Sequence, residues 1–430
     1  MADMRMYRAF GGIGALLATT FAGTILLDLK PQRKIILFRI QVFLLFFMVM
    51  CALSRFVWIN LTVLLPSRRS NSKMLLVVHW SMYIVLASFV GLAFFSMLIG
   101  RFFIGFEPYF ISRLAFTCLG LLILIFFNLC VLNALFAILR LCSFTLPNAD
   151  KWKTVIATTV SVLLCIQGLT TASKGPTIVG VTVPLAKLPR SLDGTTIVQL
   201  SDIHLGPMVG SADLDRVVNT VSVMKPDIIV ITGDLVDSTV ANLKQAILPL
   251  KKLKSKYGSF FVTGNHEYHT GDADAWLQEL KQLGIQPLHN SYVLISNKDN
   301  PEDKIYLAGV DDIQADTMNY ENHGMKLSQA LEGRQSKFPT VLLAHQPRAA
   351  QQALDQYQDI DLILSGHTHG GQFFPMHIPV YFYNRPFFAG LYKQKETFVY
   401  VSSGTYFYSV PLRIGSTSEI TILTLTSTKK

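Results

Sequence analysis

The stretch DIIVITGD, residues 227–234, decides the fold, because an apolar run ends there in Gly233 and Asp234. A short, continuous apolar run bounded by turn residues predicts a buried β-strand. Comparable runs lie at 195–200, 259–263, 305–310, 340–344 and 362–364, and closing strands are predicted at 398–402 and 419–426. Helical spacing at 212–224, 240–256 and 274–283 separates the first of these strands. This alternation predicts a layered α/β domain whose sheet is largely parallel in its first half.

Short polar motifs follow five of these predicted strands. They are DIH at 202–204, GD at 233–234, GNHE at 264–267, AH at 344–345 and GHTHGG at 366–371. Ligands of open α/β sheets bind outside the carboxyl ends of the strands, so the motifs are expected to converge. Residues two apart in extended backbone point to one side, so Asp202 with His204, and His367 with His369, are each predicted to grip one cation.

The residue types in these motifs indicate a metal site. Imidazole, carboxylate and amide groups without thiolate suit Mn, Fe or Zn in a reactive site, rather than a cysteine-rich structural zinc. The five cysteines all lie in the N-terminal part of the chain, at Cys51, Cys118, Cys130, Cys142 and Cys165. Two metals sharing a carboxylate favour attack of hydroxide on a phosphorus or carbonyl centre. His269 and the pair Asp311 and Asp312 are further candidates for the rim, although a capping turn explains the two aspartates more simply.

The N-terminal part of the chain has a different composition. The 430 residues are 50% hydrophobic and only 15% charged, with a mean hydropathy of +0.38. Residues 1–173 hold 15 Lys or Arg against 4 Asp or Glu, whereas residues 174–430 hold 23 against 24. The formal net charge of +10 therefore lies outside the predicted α/β domain, which argues against a nucleic-acid partner.

Long apolar runs predict membrane-spanning helices in this part. Five runs are each about 18 to 26 residues long, close to the roughly 20 residues that cross a bilayer. They cover residues 10–27, 35–53, 74–99, 114–139 and 155–172. We therefore predict a membrane region at 1–173, a linker at 174–194 and a catalytic domain at 195–430. The cationic residues between the runs are nearly balanced between the two sides, so the positive-inside rule assigns no orientation.

The motif order D-x-H, G-D, G-N-H-E, H and G-H-x-H resembles that of the calcineurin-like metallophosphoesterase superfamily, over about residues 178–425. The context GHTHGGQ, an AGVDD segment and the apolar N-terminal part resemble its membrane-associated branch. The resemblance implies a sandwich of two mixed sheets flanked by helices. It also implies that one metal binds Asp202, His204 and His369, that a second binds Asn265, His345 and His367, and that Asp234 bridges both. His266 would protonate the leaving oxygen, and Glu267 would either orient His266 or be structural.

The expected function is therefore that of a membrane-anchored, metal-dependent hydrolase. A metal-bridging hydroxide would attack a phosphomonoester, a phosphodiester or a pyrophosphate. A lipid-linked substrate and contact with membrane lipids are favoured because five spans exceed what an anchor needs, while a soluble phosphoprotein or nucleotide stays open. The alternatives are a catalytically silent membrane receptor that keeps the fold and a transporter with an accessory domain. A transporter should hold buried ionisable residues in its spans; the candidates are Arg39, Arg55 and His79, and all three lie near span ends.

Overall fold

The computed structural model describes residues 14–23, 31–67, 72–144 and 146–428. Contacts divide the chain into two compact units. The membrane unit comprises Met1–Met97 and Leu114–Cys165, and the α/β unit comprises Leu98–Arg113 and Ile166–Lys430. The α/β unit thus includes residues 98–113, where one apolar helix ends and the next begins, and the last turns of the helix that precedes the first strand.

Apolar helices make up the N-terminal part that the structure describes. They are α1 (Gly14–Gly23), α2 (Pro31–Thr62), α3 (Lys73–Phe102), α4 (Phe110–Leu141) and α5 (Ala149–Ser173). Within the described residues, four segments are long and apolar enough to cross a membrane: Phe43–Thr62, Lys73–Phe102, Phe110–Leu141 and Ala149–Ser173. The chain is therefore a multi-pass membrane protein, and the predicted spans at 74–99, 114–139 and 155–172 are confirmed as helices.

The other two predicted spans have different outcomes. The prediction at 10–27 lies partly outside the described residues, of which Gly14–Gly23 are helical, so this span stays a prediction. The prediction at 35–53 ends too early, because α2 continues to Thr62 and its apolar segment begins at Phe43. Arg55 interrupts the apolar run, but arginine is a good helix former, so the helix passes through it.

The second half of the chain folds into two six-stranded sheets. The strands are β1 (Thr177–Leu185), β2 (Thr196–Leu200), β3 (Ile228–Thr232), β4 (Ser259–Val262), β5 (Ile285–Pro287), β6 (Ser291–Ser296), β7 (Lys304–Gly309), β8 (Thr340–Leu343), β9 (Leu362–Ser365), β10 (Gly390–Gln394), β11 (Thr397–Val401) and β12 (Glu419–Ser427). The helices are α6 (Ser211–Met224), α7 (Val240–Leu243), α8 (Asn265–Thr270), α9 (Ala273–Gln282), α10 (Gln314–Met318), α11 (Leu327–Ala330), α12 (Pro347–Gln356) and α13 (His377–Asn384).

Strand order places the carboxyl ends of the parallel strands together. The first sheet has the order β1-β12-β2-β3-β4-β5, and its strands β2 to β5 are parallel, as the sequence predicts. The second has the order β10-β11-β9-β8-β7-β6, with β11, β9, β8 and β7 parallel and antiparallel strands at both edges. Chain segments that leave β2, β3, β4, β8 and β9 carry the five polar motifs.

The core lies between the two sheets. Ile197, Ile228 and Phe260 of the first sheet share one buried apolar cluster with Leu307 and Val341 of the second. A second cluster covers the opposite face of the second sheet and includes Ala349 and Ala353 of α12. The α/β unit is therefore the sandwich of two mixed sheets with flanking helices that the family resemblance implies, and burial of these apolar faces fixes the strand ends.

Two segments differ from the sequence interpretation. Residues 177–185, which fall within the predicted linker, form β1 and pair with β12 along its whole length. The predicted helix at 240–256 is wrong: four residues form α7, and a 3₁₀ turn follows at Leu248–Lys252. Pro249 lacks the N–H that a continuing α-helix needs. The helically spaced apolar residues of this segment therefore lie on two short turns instead of one long helix.

Candidate metal centre

Seven polar side chains predicted as metal ligands lie together at the carboxyl ends of the strands. Asp202, Asp234 and Asn265 come from the first sheet, and His345 and His367 from the second. All except His367 are at least 90% buried, and His367 is half-buried. Burying so many polar groups is costly unless partners compensate them, so the cluster is a candidate functional site.

Five of the seven candidate ligands have left-handed backbone. The φ angles are 54° at Asp202, 53° at His204, 51° at Asp234, 71° at His367 and 51° at His369. Such strain in residues other than glycine concentrates at functional sites, where surrounding contacts enforce it. The enforcing contacts here include hydrogen bonds from the Asp202 N–H to the Gly233 carbonyl and from the His204 N–H to the Asp234 carbonyl, both 3.1 Å. Left-handed turns, and not the extended backbone expected from the two-residue spacing, therefore aim these side chains.

The ligand atoms fall into two groups. Asp202, His204 and His369 offer atoms within 4.8 Å of one another, and so do Asp234, His345 and His367. In the first group, Nε2 of His369 is 3.0 Å from Nε2 of His204 and 3.6 Å from Oδ1 of Asp202. His367 and His369 thus belong to different groups, and the expectation from spacing that they grip the same cation is wrong.

Asp234 lies between the two groups. Its Oδ2 is 3.9 Å from Nε2 of His204 in the first group and 3.2 Å from Nε2 of His345 in the second. Oδ1 of Asn265 is 3.3 Å from the same His345 nitrogen, which places the amide in the second group. The Asp234 carboxylate therefore lies close to histidines of both groups.

The donor atoms fit divalent metals. Nδ1 of His367 is buried and, in the described part of the chain, has no hydrogen-bond partner. Burial and the neighbouring His345 lower the pKa of His367 to about 3, so its ring stays neutral and offers a lone pair. Imidazoles and carboxylates converging in this way match the donor set that cations such as Mn, Fe or Zn accept.

Asp237 is a site residue that the sequence interpretation missed. Its Oδ1 is 2.7 Å from Nδ1 of His204 and 2.9 Å from Nδ1 of His266. Burial alone would raise the pKa of Asp237, but attraction to these two histidines outweighs it and the pKa lies well below its usual range. The ionised carboxylate therefore orients one candidate ligand and the candidate acid at once. Its position three residues after Asp234, in GDLVD, is the signal that could have found it.

His266 lies beside the first ligand group with its ring partly open to solvent. Its ring centroid is 4.6 Å from that of His204 and 4.7 Å from that of Tyr408. Burial lowers the pKa of His266, but the carboxylates of Asp234 and Asp237 raise it by more, so the net shift is well upward. His269, whose ring centroid is 5.2 Å from that of His266, lies at the same opening.

Glu267 supports the backbone of the site and does not orient His266. Its carboxylate accepts hydrogen bonds from the backbone N–H groups of Gly264 at 2.6 Å, Leu235 at 2.8 Å and Asp234 at 3.1 Å. Burial and the nearby Asp234 charge raise the pKa of Glu267 to about 7. Of the two roles considered for this residue, the contacts favour the structural one.

Asp312 has the capping role that was considered for it. Its Oδ1 accepts hydrogen bonds from the Gln314 N–H and from the side chain of Gln346, both at 2.8 Å. Asp311 instead contacts His289 and His323. Neither aspartate belongs to a group with the seven candidate ligands.

Arg413 fixes the loop that carries His367 and His369. Its fully buried guanidinium donates to the carbonyls of His369 at 2.6 Å, Ser403 at 2.8 Å and Tyr406. Burial lowers the pKa of Arg413 to about 10, although the Asp202 carboxylate opposes the shift. No motif in the sequence distinguishes this arginine, because its partners are backbone carbonyls that lie close only in the fold.

Gly366 provides a test of how tightly the first ligand group is packed. A Cβ at this position would overlap the side chains of Ser201 and Asp202. We expect Gly366→Ala to displace Asp202 and to lower the metal content of the purified protein, measured by elemental analysis. The matched control is Gly180→Ala, where a Cβ would meet nothing within 4 Å. Equal metal content in the two variants would contradict this geometry.

The fold and the site define a class, the calcineurin-like phosphoesterases, and the family profile of that description matches residues 195–371. Two relatives named "Transmembrane protein with metallophosphoesterase domain" match more of the chain. The Danio rerio protein is 44% identical over 349 residues and the Bos taurus protein 46% over 359, each match covering 80% of this chain and 80% of the relative. This chain therefore belongs to the calcineurin-like metallophosphoesterase family, together with these membrane-spanning relatives.

A solved structure is similar as well. It is a dimetal phosphatase from Danio rerio, 11% identical, and the match covers 50% of this chain and 88% of that chain with a TM-score of 0.35.

Proposed function

We propose that the protein is a membrane-embedded hydrolase of phosphoesters that uses two divalent cations of the Mn, Fe or Zn class. The observation that carries the proposal is the position of Asp234 between two ligand groups, with His266 beside them. Asp202, His204 and His369 would hold one cation, Asn265, His345 and His367 the other, and Asp234 both. When bound, the cations supply Lewis-acid charge and a water of lowered pKa.

Charge favours a phosphate ligand at this site. Two divalent cations carry four positive charges, and the carboxylates of Asp202, Asp234 and Asp237 return only three negative ones. The site therefore stays cationic and attracts the anionic oxygens of a phosphoester. Burial strengthens this attraction, because few waters screen the charges inside the unit.

His266 is placed to act as the general acid. Asp237 engages Nδ1 of His266, which leaves the other ring nitrogen for the substrate. In the proposed reaction the oxygen of water bonds to phosphorus and the proton that this water loses passes to solvent. The bond from phosphorus to the leaving oxygen breaks, His266 protonates that oxygen, and a solvent proton then restores His266. The Asp237 carboxylate, 2.9 Å from Nδ1, favours the protonated form of the His266 ring.

The test of this proposal uses the purified full-length chain. Elemental analysis gives its metal content, and a screen covers aryl phosphomonoesters, phosphodiesters and lipid pyrophosphates. We expect metal-dependent hydrolysis of at least one class, and removal of the metal by a chelator should abolish it. Bound metal without hydrolysis of any class would favour the catalytically silent receptor instead.

Asp237 gives a further prediction as a positioning residue. Replacing a residue that orients a metal ligand typically lowers metal affinity or activity by about 10–100-fold. We expect Asp237→Asn to lower kcat by about that factor at saturating metal, with a larger loss on substrates whose leaving groups are poor. The leaving-group dependence separates misplacement of His266 from a general loss of structure.

The control for Asp237→Asn is Asp355→Asn, which removes an exposed carboxylate of α12 that contacts Gln351. This control should match the parent enzyme on every substrate. A uniform loss of rate by Asp237→Asn on good and poor leaving groups alike would contradict the positioning role.

A further inference from the structure

An exposed group of apolar and aromatic side chains lies just beyond the metal-ligand loop. We call it the aromatic patch, and it consists of Phe374, Met376, Ile378, Tyr381, Phe382 and Tyr383. Ile378, Tyr381 and Phe382 are three and four residues apart on α13 and so share one face of that helix. Each of the six is at least 37% exposed. A contiguous apolar patch of this kind marks an interaction surface.

The patch is joined to the candidate metal centre through Gln372. This residue follows the ligand His369 by three positions, and its side chain donates hydrogen bonds to the carbonyls of Tyr408 at 3.1 Å and Val410 at 2.8 Å. Tyr408 is the residue whose ring lies beside His204 and His266. The segment 406–414 therefore contacts both the opening of the site and the chain that leads into the patch.

The segment 406–414 also contacts the end of a membrane-spanning helix. The Phe374 N–H donates to the Ile414 carbonyl at 3.2 Å, and the Arg413 N–H donates to the carbonyl of Gly168 in α5 at 3.1 Å. A Cβ on Gly168 would lie 2.9 Å from Cγ1 of Ile414, so the helix and the segment at Ile414 touch closely. Only three residues separate the end of α5 from β1, so this part of the α/β unit lies next to the end of a candidate membrane span.

A second segment that leaves the membrane lies nearby in the same unit. In the loop between α3 and α4, the carboxylate of Glu107 accepts a hydrogen bond from the Ala212 N–H at 2.7 Å. The next residue of α6, Asp213, accepts at its carbonyl from the hydroxyl of Tyr406 at 2.8 Å. The loop also exposes Phe103 and Phe106. Residues 406–414 thus connect two segments that emerge from membrane spans with the patch itself.

Cations accompany the aromatic rings. Arg348 donates to the hydroxyl of Tyr383 at 2.9 Å and lies 5.1 Å from the centre of that ring, and Arg385 lies 5.6 Å from the centre of the Phe382 ring. Aromatic rings combined with arginines suit the interface of a bilayer, where rings enter the headgroup region and guanidinium groups meet lipid phosphates. We propose that the aromatic patch rests on the leaflet of the bilayer that the chain itself spans, which turns the opening of the metal centre toward lipid headgroups.

The test measures the depth of the patch in a bilayer and does not depend on catalysis. The full-length chain, with its five cysteines replaced by serine, is reconstituted in nanodiscs of phosphatidylcholine and phosphatidylglycerol. A nitroxide label is attached to Tyr381→Cys, and the control label to Leu294→Cys on β6, the opposite edge strand of the second sheet. The two native side chains are equally exposed, at 47%. Collision rates of each label with oxygen, which enters lipid, and with an aqueous nickel chelate are compared.

We expect the ratio of oxygen to nickel collisions to be severalfold higher at position 381 than at position 294. Equal ratios at both positions would overturn the proposal, and Phe382→Cys provides a second label should replacement of Tyr381 disturb α13. If the nitroxide spectra are broadened by contact between labels, and sharpen on dilution with unlabelled protein, a second copy of the chain covers the patch. That result would also overturn the proposal. Since no substrate is needed, failure of the proposed hydrolase function leaves this result readable.

Discussion

Asp234→Ala is expected to reduce phosphoester hydrolysis to background and to lower the metal content of the protein. The reason is the position of the carboxylate, whose Oδ2 is 3.2 Å from His345 Nε2 and 3.9 Å from His204 Nε2. Oδ1 of Asp234 also accepts from the His266 N–H at 2.8 Å, so the substitution disturbs the acid as well. The measurement is metal content by elemental analysis together with the rate on the best substrate found.

The matched control is Asp299→Ala, which removes an exposed carboxylate outside the site and should change neither quantity. Asp234→Asn keeps the shape of the side chain and separates loss of charge from loss of contact. Normal turnover by Asp234→Ala would contradict the sharing of this carboxylate between two cations.

His266→Gln is expected to keep the metals and to lose about 10²–10⁴-fold in rate, the usual contribution of a general acid. His266 is not among the proposed ligands, so the metal content should match that of the parent protein. The loss should be greatest on alkyl phosphoesters, because an alkoxide is a poor leaving group that needs a proton. Nitrophenyl phosphoesters should lose less, since their leaving group is stable without one.

The comparison of the two substrates within one variant is an internal control for folding. A misfolded variant loses rate on both substrates in proportion. An alkyl phosphoester hydrolysed at the parent rate by His266→Gln would exclude the acid role of this histidine.

The sequence pattern predicted that the seven candidate ligands converge, and the family resemblance supplied their division between two cations. Each proposed ligand follows an apolar strand, and parallel strands end at one edge, so convergence follows from local sequence. Asp237 and Arg413 were missed for different reasons. Asp237 lies three residues after Asp234, but the sequence does not show that the intervening turn directs its side chain toward the site. Arg413 acts on backbone carbonyls, and no side-chain pattern encodes such contacts.

The prediction of the fold was wrong where the local spacing of apolar residues competes with tertiary packing. The apolar residues at 240–256 have helical spacing, yet Pro249 and packing on the sandwich give short turns. The edge strand β1 is largely exposed in its first half, so its sequence lacks the continuous apolar run by which the other strands were predicted. The two-residue spacing of Asp202 and His204 correctly joined them, although left-handed backbone brings them together.

The most direct measurement is the rate of phosphoester hydrolysis by chelator-treated full-length protein as metal is restored in known equivalents. Two shared sites predict little activity until the second equivalent binds, with a plateau at two metals per chain. Hydrolysis that persists in metal-free protein, or that is complete at one equivalent, would contradict a centre of two cations held together by Asp234.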